Sequence, residues 1–317
     1  MDAAATTTLE IVHETRYSYG APVALAHHLA HLRPLDDAHQ RLLAHDIVTE
    51  PPVESRHAGT DAFGNACLWL SSAQLHDRLL VRSTSRVALR PRFAGLQPAA
   101  APAWDELAAG LRYVAGGRYD PAVAFVQPSP FVPRLAELLD YARPSFAPGR
   151  PVVEAAIDLM HRLHADFTYR SASTEIDTPL ATAFAQRAGV CQDFAHLLAG
   201  ALRMVGVPAR YVSGYLLTQP PDGGAALVGA DASHAWVQVY SPGTPGVPSD
   251  WLDLDPTNDC VPGCGHVRVA VGRDFGDVTP LRGVIRGGGL HTLSVAVSTR
   301  VIDPGPAIAW ASAEEMR

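Results

Sequence analysis

The stretch GVCQDFAHLLAGALRMVGVPARYVSGYL, residues 189–216, sets a helix directly before a strand. Phe194, Leu198, Leu202 and Val205 recur at helical spacing. They predict a helix from Cys191 to about 205, opened by the stop at Gly189. ARYVSGYLL (209–217) then reads as a strand. Cys191 therefore sits at a helix N-terminus. There the unpaired backbone N–H groups and the helix dipole favour a thiolate over a thiol. The same N–H groups can donate to the oxyanion that forms when a carbonyl is attacked. Taken alone, the segment is read equally well with Cys191 as a small buried hydrophobe.

Downstream lie SHAWVQVY (233–240) and DWLDLDP (250–256), separated by the Gly/Pro-rich SPGTPGVPSD. In the first, His234, Trp236, Gln238 and Tyr240 share one face. In the second, Trp251, Asp253 and Asp255 do, and Pro256 ends the strand. If the two form a hairpin, the start of the first lies beside the end of the second, which places His234 next to Asp255. A carboxylate there accepts from one imidazole nitrogen and leaves the other to deprotonate a thiol. Asp253 is the competing orienter. It has the same parity but lies roughly 7 Å farther along the strand, so Asp255 is preferred. A His at a strand end is more often structural, and the acid's placement is what tips the reading toward catalysis.

Upstream are helical patterns at 105–114, 133–142, 151–164 and 178–189. In 151–164, Val153, Ile157, Met160 and Leu163 or His164 mark one buried face. The last begins at Thr178-Pro179 and is expected to stop at Gly189. Helices followed by a run of strands predict an α+β catalytic core, not alternating α/β. Residues 7–92 alternate as strands of a small antiparallel module. Its first strand, LEIVHETRYSY, is expected to break at Gly20-Ala-Pro22. LQPAAAPAW (96–104) reads as a linker, and HTLSVAVSTRVI (291–302) as one late strand. The resulting division is a β-rich domain at 1–95, a linker and helical segment at 96–150, and a catalytic domain at 151–317.

A chain of 317 residues suggests about two domains. Its 47% hydrophobic and 18% charged residues suit a soluble globular protein. The net charge of -7, without any Lys/Arg run, argues against a nucleic-acid partner. The opening residues lack a basic, then apolar, leader, and no apolar run reaches the roughly 18 residues of a membrane span. Four cysteines are too few for a disulfide scaffold. The expectation is a cytoplasmic protein with no membrane association and no cofactor.

Other titratable clusters are weaker. Asp193 reads as an acid favoured by the helix dipole or as a support for the site. His196 lies more than one turn below Cys191, too far down the helix to act as its base. His27, His28 and His31 form a histidine-rich run, but no Cys or carboxylate neighbours them in sequence, so no metal is expected there. Cys260, Cys264 and His266 resemble half of a zinc motif in a Pro/Gly loop, and again no metal is expected. Cys67 reads as a core residue of a strand. Arg273, Arg282 and Arg286 are readable either as groove-lining or as solvated.

Together, 189–216, DASHAWVQVY and WLDLDPTND resemble the transglutaminase-like superfamily in its bacterial branch. The order Cys…His…Asp matches, with 43 residues from Cys191 to His234 and 21 from His234 to Asp255. Residues 9–34 resemble that branch's β-rich N-terminal region, and 272–289 its C-terminal signature. The resemblance implies a papain-like α+β core and a catalytic triad of Cys191, His234 and Asp255. It also implies an aromatic oxyanion-hole donor upstream of the cysteine, for which Tyr169 is the candidate and Phe167 a neighbouring distraction. The leading expectation is a cysteine protease or amidase that acts on a peptide or protein through an acyl-enzyme. Transamidation, a non-catalytic binding module and a metal-dependent hydrolase are the alternatives.

Overall fold

The computed structural model describes residues 6–171, 174–218, 233–303 and 310. The first strand, β1 (Thr7–Ala30), runs for 24 residues and organises the N-terminal half. Leu9, Ile11, His13 and Thr15 face inward, while Glu10 and Arg16 face out. After it come β2 (Gln40–Glu50), β3 (Ser55–Thr60), β4 (Ala66–Ser72) and β5 (His76–Leu89), paired antiparallel in the order β2-β5-β1-β4-β3. The expected break at Gly20–Pro22 is a bulge instead. The register with β5 slips between Ser18 and Val23. The strand survives because its loosened backbone finds other acceptors: Gly20 N–H donates to Leu290 O at 2.7 Å and Ala21 N–H to Gly288 O at 3.0 Å. A bulge of this kind bends a strand without ending it.

Next are α1 (Trp104–Gly110), α2 (Ala136–Ala142), α3 (Val152–Asp166), the short β6 (Thr168–Tyr169), α4 (Leu180–Gln186), β7 (Ala188–Gly189) and α5 (Cys191–Met204). The segment 96–150 is no free linker. Ala101, Val132, Leu138, Ala142 and Phe146 are all buried in the main core. Helix α4 ends earlier than expected, because Arg187 takes the left-handed conformation at φ 51°. Its guanidinium lies over the rings of Phe184 and Phe167, 4.4 and 4.7 Å from their centroids, which offsets part of the steric cost. Gly189 has another reason to be glycine. A Cβ there would come 2.6 Å from Asp193 Oδ2.

The chain then forms β8 (Ala209–Leu216), β9 (His234–Tyr240), β10 (Trp251–Leu254), β11 (His266–Gly272), α6 (Phe275–Val278), β12 (Leu281–Gly287) and β13 (His291–Ile302). Four of these strands make an antiparallel sheet in the order β10-β9-β8-β11. Helix α5 packs on it, and Phe194, Leu198 and Leu202 along the helix are all buried. Each such side chain contributes about 1.5–3 kcal/mol on leaving water. The fold class is α+β, with this antiparallel sheet preceded by a β-rich region.

The last two strands revise the division of the chain. β12 and β13 follow the four-stranded sheet in sequence, yet both pair antiparallel with β1. Residues 281–302 thus belong to the N-terminal sheet and not with 151–280. One core also runs through both halves: Leu9, Ile11, Val87 and Leu89 pack in a single cluster with Leu159, Leu198, Tyr215 and Val237. Among the described residues, no helix is long and apolar enough to cross a membrane.

Candidate active site

Cys191 is the first residue of α5, half-buried, with a free thiol. Its position is fixed by Asp193, whose Oδ2 accepts from Val190 N–H at 2.8 Å and from the Thr174 hydroxyl at 2.6 Å. Burial raises the Asp193 pKa against the pull of these donors. By helix geometry the N–H groups of Cys191 and Gln192 have no acceptor inside the helix. Both residues line a cavity of about 440 Å³.

His234 opens β9 and lines the same cavity. Opposite it on β8 stands Gly214, where a Cβ would strike the Trp236 ring and the Val267 carbonyl. That space lets Trp236 lie beside His234, with ring centroids 6.0 Å apart. Strands β9 and β10 form the hairpin the spacing predicts, with Trp251 opposite Tyr240 and Leu254 opposite Val237. Asp255 follows directly, diagonal to His234 on the same face. His234 Nε2 donates to Asp255 Oδ2 at 2.8 Å.

Asp255 is fully buried and surrounded by donors. Oδ1 accepts from the N–H groups of Thr257 (3.0 Å) and Asn258 (3.2 Å). Oδ2 also accepts from Asn258 Nδ2 at 2.8 Å and His266 Nε2 at 3.0 Å. Burial alone would raise this carboxyl's pKa. The charge and hydrogen bond of His234, then His266, outweigh it and hold the acid well below the ordinary carboxylate range. For His234, burial lowers the pKa, but Asp255 and then the Cys191 thiol push it up to about 10. Its Nδ1 makes no hydrogen bond to any described atom. One ring thus holds a carboxylate at Nε2 and has the thiol close enough to feel its charge.

The other acid on the strand has a different partner. Asp253 faces Gln238 across the hairpin and takes Arg268 in a fork, at 2.9 and 2.7 Å. It therefore does not reach His234. His196 is a buried residue of α5 itself, and its Nε2 accepts from Phe275 N–H at 3.1 Å. Burial, with Arg203 adding to it, lowers its pKa to about 3, so it is neutral. Arg273 forks onto Asp277 and Arg282 donates to Gly276 O. Neither lines the cavity, nor does Arg286. Tyr169 does, held by the parallel bridge between Thr168–Tyr169 and Ala188–Gly189.

The sequence gives no hint that His266 and Asn258 crowd Asp255. His266 drew attention only for its spacing from Cys260 and Cys264. Among the described residues, those three do not gather as a metal-binding group. Cys260 instead pairs its backbone with Asp255, and burial raises its thiol to about 12. The one available signal was Asp-Pro-Thr-Asn, a turn sequence whose acid caps its own following N–H groups.

The far wall of the cavity comes from the N-terminal sheet. His13, Thr15 and Tyr17 of β1 and Leu293 and Val295 of β13 face Cys191 and His234 across it. His13 also hydrogen-bonds Tyr215 Oη at 3.1 Å, tying the two sheets together.

Residues 9–88 match the bacterial transglutaminase-like N-terminal region, and 140–256 match the transglutaminase-like superfamily. A chain from Mycobacterium tuberculosis, an uncharacterized protein, is 39% identical over 278 residues, covering 87% of this chain and 86% of that one. This chain belongs to the transglutaminase-like superfamily. A Mycobacterium leprae member, also uncharacterized, is 31% identical over 296 residues, 91% of this chain and 97% of that one. Protein-glutamine gamma-glutamyltransferase of Pseudomonas aeruginosa is 31% identical over 131 residues, 41% of this chain and 19% of that protein. Among solved structures, a candidate cysteine protease from Cytophaga hutchinsonii superposes with a TM-score of 0.70 at 20% identity, covering 98% of this chain and 95% of that one. That likeness is one of fold. Family and fold are those of a thiol-dependent enzyme.

Proposed function

We propose that this transglutaminase-like protein cleaves a peptide or amide bond through a thioester on Cys191. The observation that carries the reading is the division of one buried imidazole. Its Nε2 is held by Asp255, while its Nδ1 is left without a hydrogen bond in the cavity that Cys191 lines. A cation beside a thiol favours the anionic, nucleophilic sulfur. Asp255 favours that cation and fixes the ring's orientation.

Cys191 Sγ adds to the carbonyl carbon, and its electrons move onto the carbonyl oxygen. The N–H groups of Cys191 and Gln192 are the donors for that oxyanion, with the Tyr169 hydroxyl a third. Collapse re-forms the carbonyl and breaks the C–N bond, as His234 Nδ1–H passes its proton to the departing amine. Water then attacks the thioester, giving its proton to Nδ1. The acid leaves and the sulfur is restored. The cavity walls contributed by Tyr17, Phe275, Leu293 and Val295 suit an uncharged, apolar or aromatic acyl portion.

The test is a set of peptides and amides, each incubated with and without a primary amine and followed by intact mass. A +acyl adduct on the native chain, absent from Cys191→Ala, is expected, with free acid as product. An amide of the added amine as the main product would make transfer the activity. Unchanged turnover in Cys191→Ala would remove the assignment altogether.

A further inference from the structure

A second group of the same residue types lies outside the cavity. His31 follows the end of β1, Asp61 opens the β3–β4 turn, and Cys67 lies on β4. Far apart in sequence, they converge because β4 pairs with the end of β1, Leu68 opposite Ala30. Cys67 Sγ is 3.2 Å from His31 Nε2, and Asp61 Oδ2 is 3.4 Å from the same nitrogen. All the donor atoms lie within 4.8 Å of one another. We propose that His31, Asp61 and Cys67 bind a divalent metal ion of the zinc type.

Hydrogen bookkeeping favours a cation at this point. His31 Nδ1 lies 3.2 Å from Thr279 O, and a carbonyl can only accept, so Nδ1 carries the hydrogen. In the neutral ring Nε2 is then a lone pair. An ionised Asp61 turns a second lone pair toward it, and the Cys67 thiol has a single hydrogen to share. That hydrogen has a competing acceptor in Asn65 O, at 3.6 Å. A metal ion satisfies all three, and the thiol proton goes to solvent.

The two separations from His31 Nε2, 3.2 Å to the sulfur and 3.4 Å to the carboxylate, also suit one. A tetrahedral zinc with bonds of about 2.0 Å to nitrogen or oxygen and about 2.3 Å to sulfur sets its ligands roughly 3.3–3.5 Å apart. The partners behind each ligand match as well. A metal-bound histidine usually donates its other N–H to a carbonyl or carboxylate. Asp61 is held by Asn65 Nδ2 at 2.8 Å and by the N–H groups of Phe63 and Asn65 at 2.8 and 2.9 Å. Asn65 is itself fully buried and clamped at both ends of its amide to the Val271 backbone.

A thiolate, an imidazole and one carboxylate select zinc or cobalt over magnesium or calcium. Asp61 is partly exposed, and Cys67 borders a cavity of about 260 Å³, so water can fill the fourth position. The ion would be a clamp. It joins the β3–β4 turn to His31, whose N–H and Nδ1 hold Pro280 O and Thr279 O. Thr279 and Pro280 line the catalytic cavity.

The test uses the full chain, stripped with chelator and titrated with cobalt(II). A thiolate-to-cobalt charge-transfer band that saturates at one equivalent is expected. It should vanish in Cys67→Ser, weaken at least tenfold in affinity in Asp61→Asn, and persist in Cys191→Ser. No band in the native chain, or a band kept by Cys67→Ser or lost by Cys191→Ser, would overturn the site. A second measurement needs no variant: one equivalent of zinc should slow alkylation of Cys67 at least tenfold in the native protein, and an unchanged rate would also refute it. Neither readout depends on turnover, so both stand apart from the hydrolase assignment.

Discussion

Two groupings of cysteine, histidine and aspartate stand in one chain, and they are wired differently. In the cavity lined by Cys191, Asp255 holds Nε2 of His234 and leaves Nδ1 without a partner among the described residues. Around His31, acid and sulfur crowd the same nitrogen, while a carbonyl occupies the other. The first ring can take a proton on one side while braced on the other. The second has no free side. The sulfurs differ too. Cys191 begins a helix at the edge of a cavity, whereas Cys67 lies in a strand, where burial and then Asp61 raise its pKa. Residue type alone does not make a triad; the assignment of ring nitrogens does.

The sharpest way to break this contrast is His234→Ala. Turnover is expected to fall about 10⁴-fold, since base and nucleophile act as a unit. A steady-state rate within tenfold of native would place the chemistry elsewhere. Next comes Asp255→Asn, which keeps the shape but loses the charge on Nε2. A loss on the order of a thousandfold in kcat, with KM little changed, is expected from initial-rate kinetics.

The two sulfurs can then be compared directly. At neutral pH, iodoacetamide should label Cys191 about a hundredfold faster than Cys67 in the metal-free protein, read by peptide mass mapping. Equal rates would erase the distinction drawn here.

The smallest effect separates the His234 imidazole from that of His196. His196, depressed to about 3 by burial, contributes stability that is present above its ordinary value near 6.5 and is lost as pH falls toward 3. Denaturant midpoints should therefore drop on acidification, by roughly 1 kcal/mol in the first unit below 6.5. His234, raised to about 10, acts with opposite sign: its share is complete below 6.5 and disappears as pH climbs through 10. In His196→Phe the acid-side loss should shrink while the alkaline side stays.

What the sequence made legible was local. The periodicity from Phe194 to Val205 located α5, and the parity of His234 and Asp255 followed from two short strands and the turn between them. Both depend on spacings within some 25 residues. What stayed hidden depended on distant pairing. Nothing near His31 in sequence announces Asp61 or Cys67, because only the β1–β4 register brings them together. The bulge at Gly20–Pro22 looked like a stop because its rescuing carbonyls, Leu290 and Gly288, lie some 270 residues away. His266 is a different case: Asp255 lies only 11 residues before it, but the spacing to Cys260 and Cys264 is the louder local pattern.

The late strand β13 has a consequence during synthesis. A ribosome delivers Cys191, His234 and Asp255 well before Leu293 and Val295 emerge. Until residue 302 is made, one side of β1 stands bare and the wall opposite Cys191 lacks Leu293 and Val295. A truncated translation product would carry Cys191, His234 and Asp255 before a half-built wall.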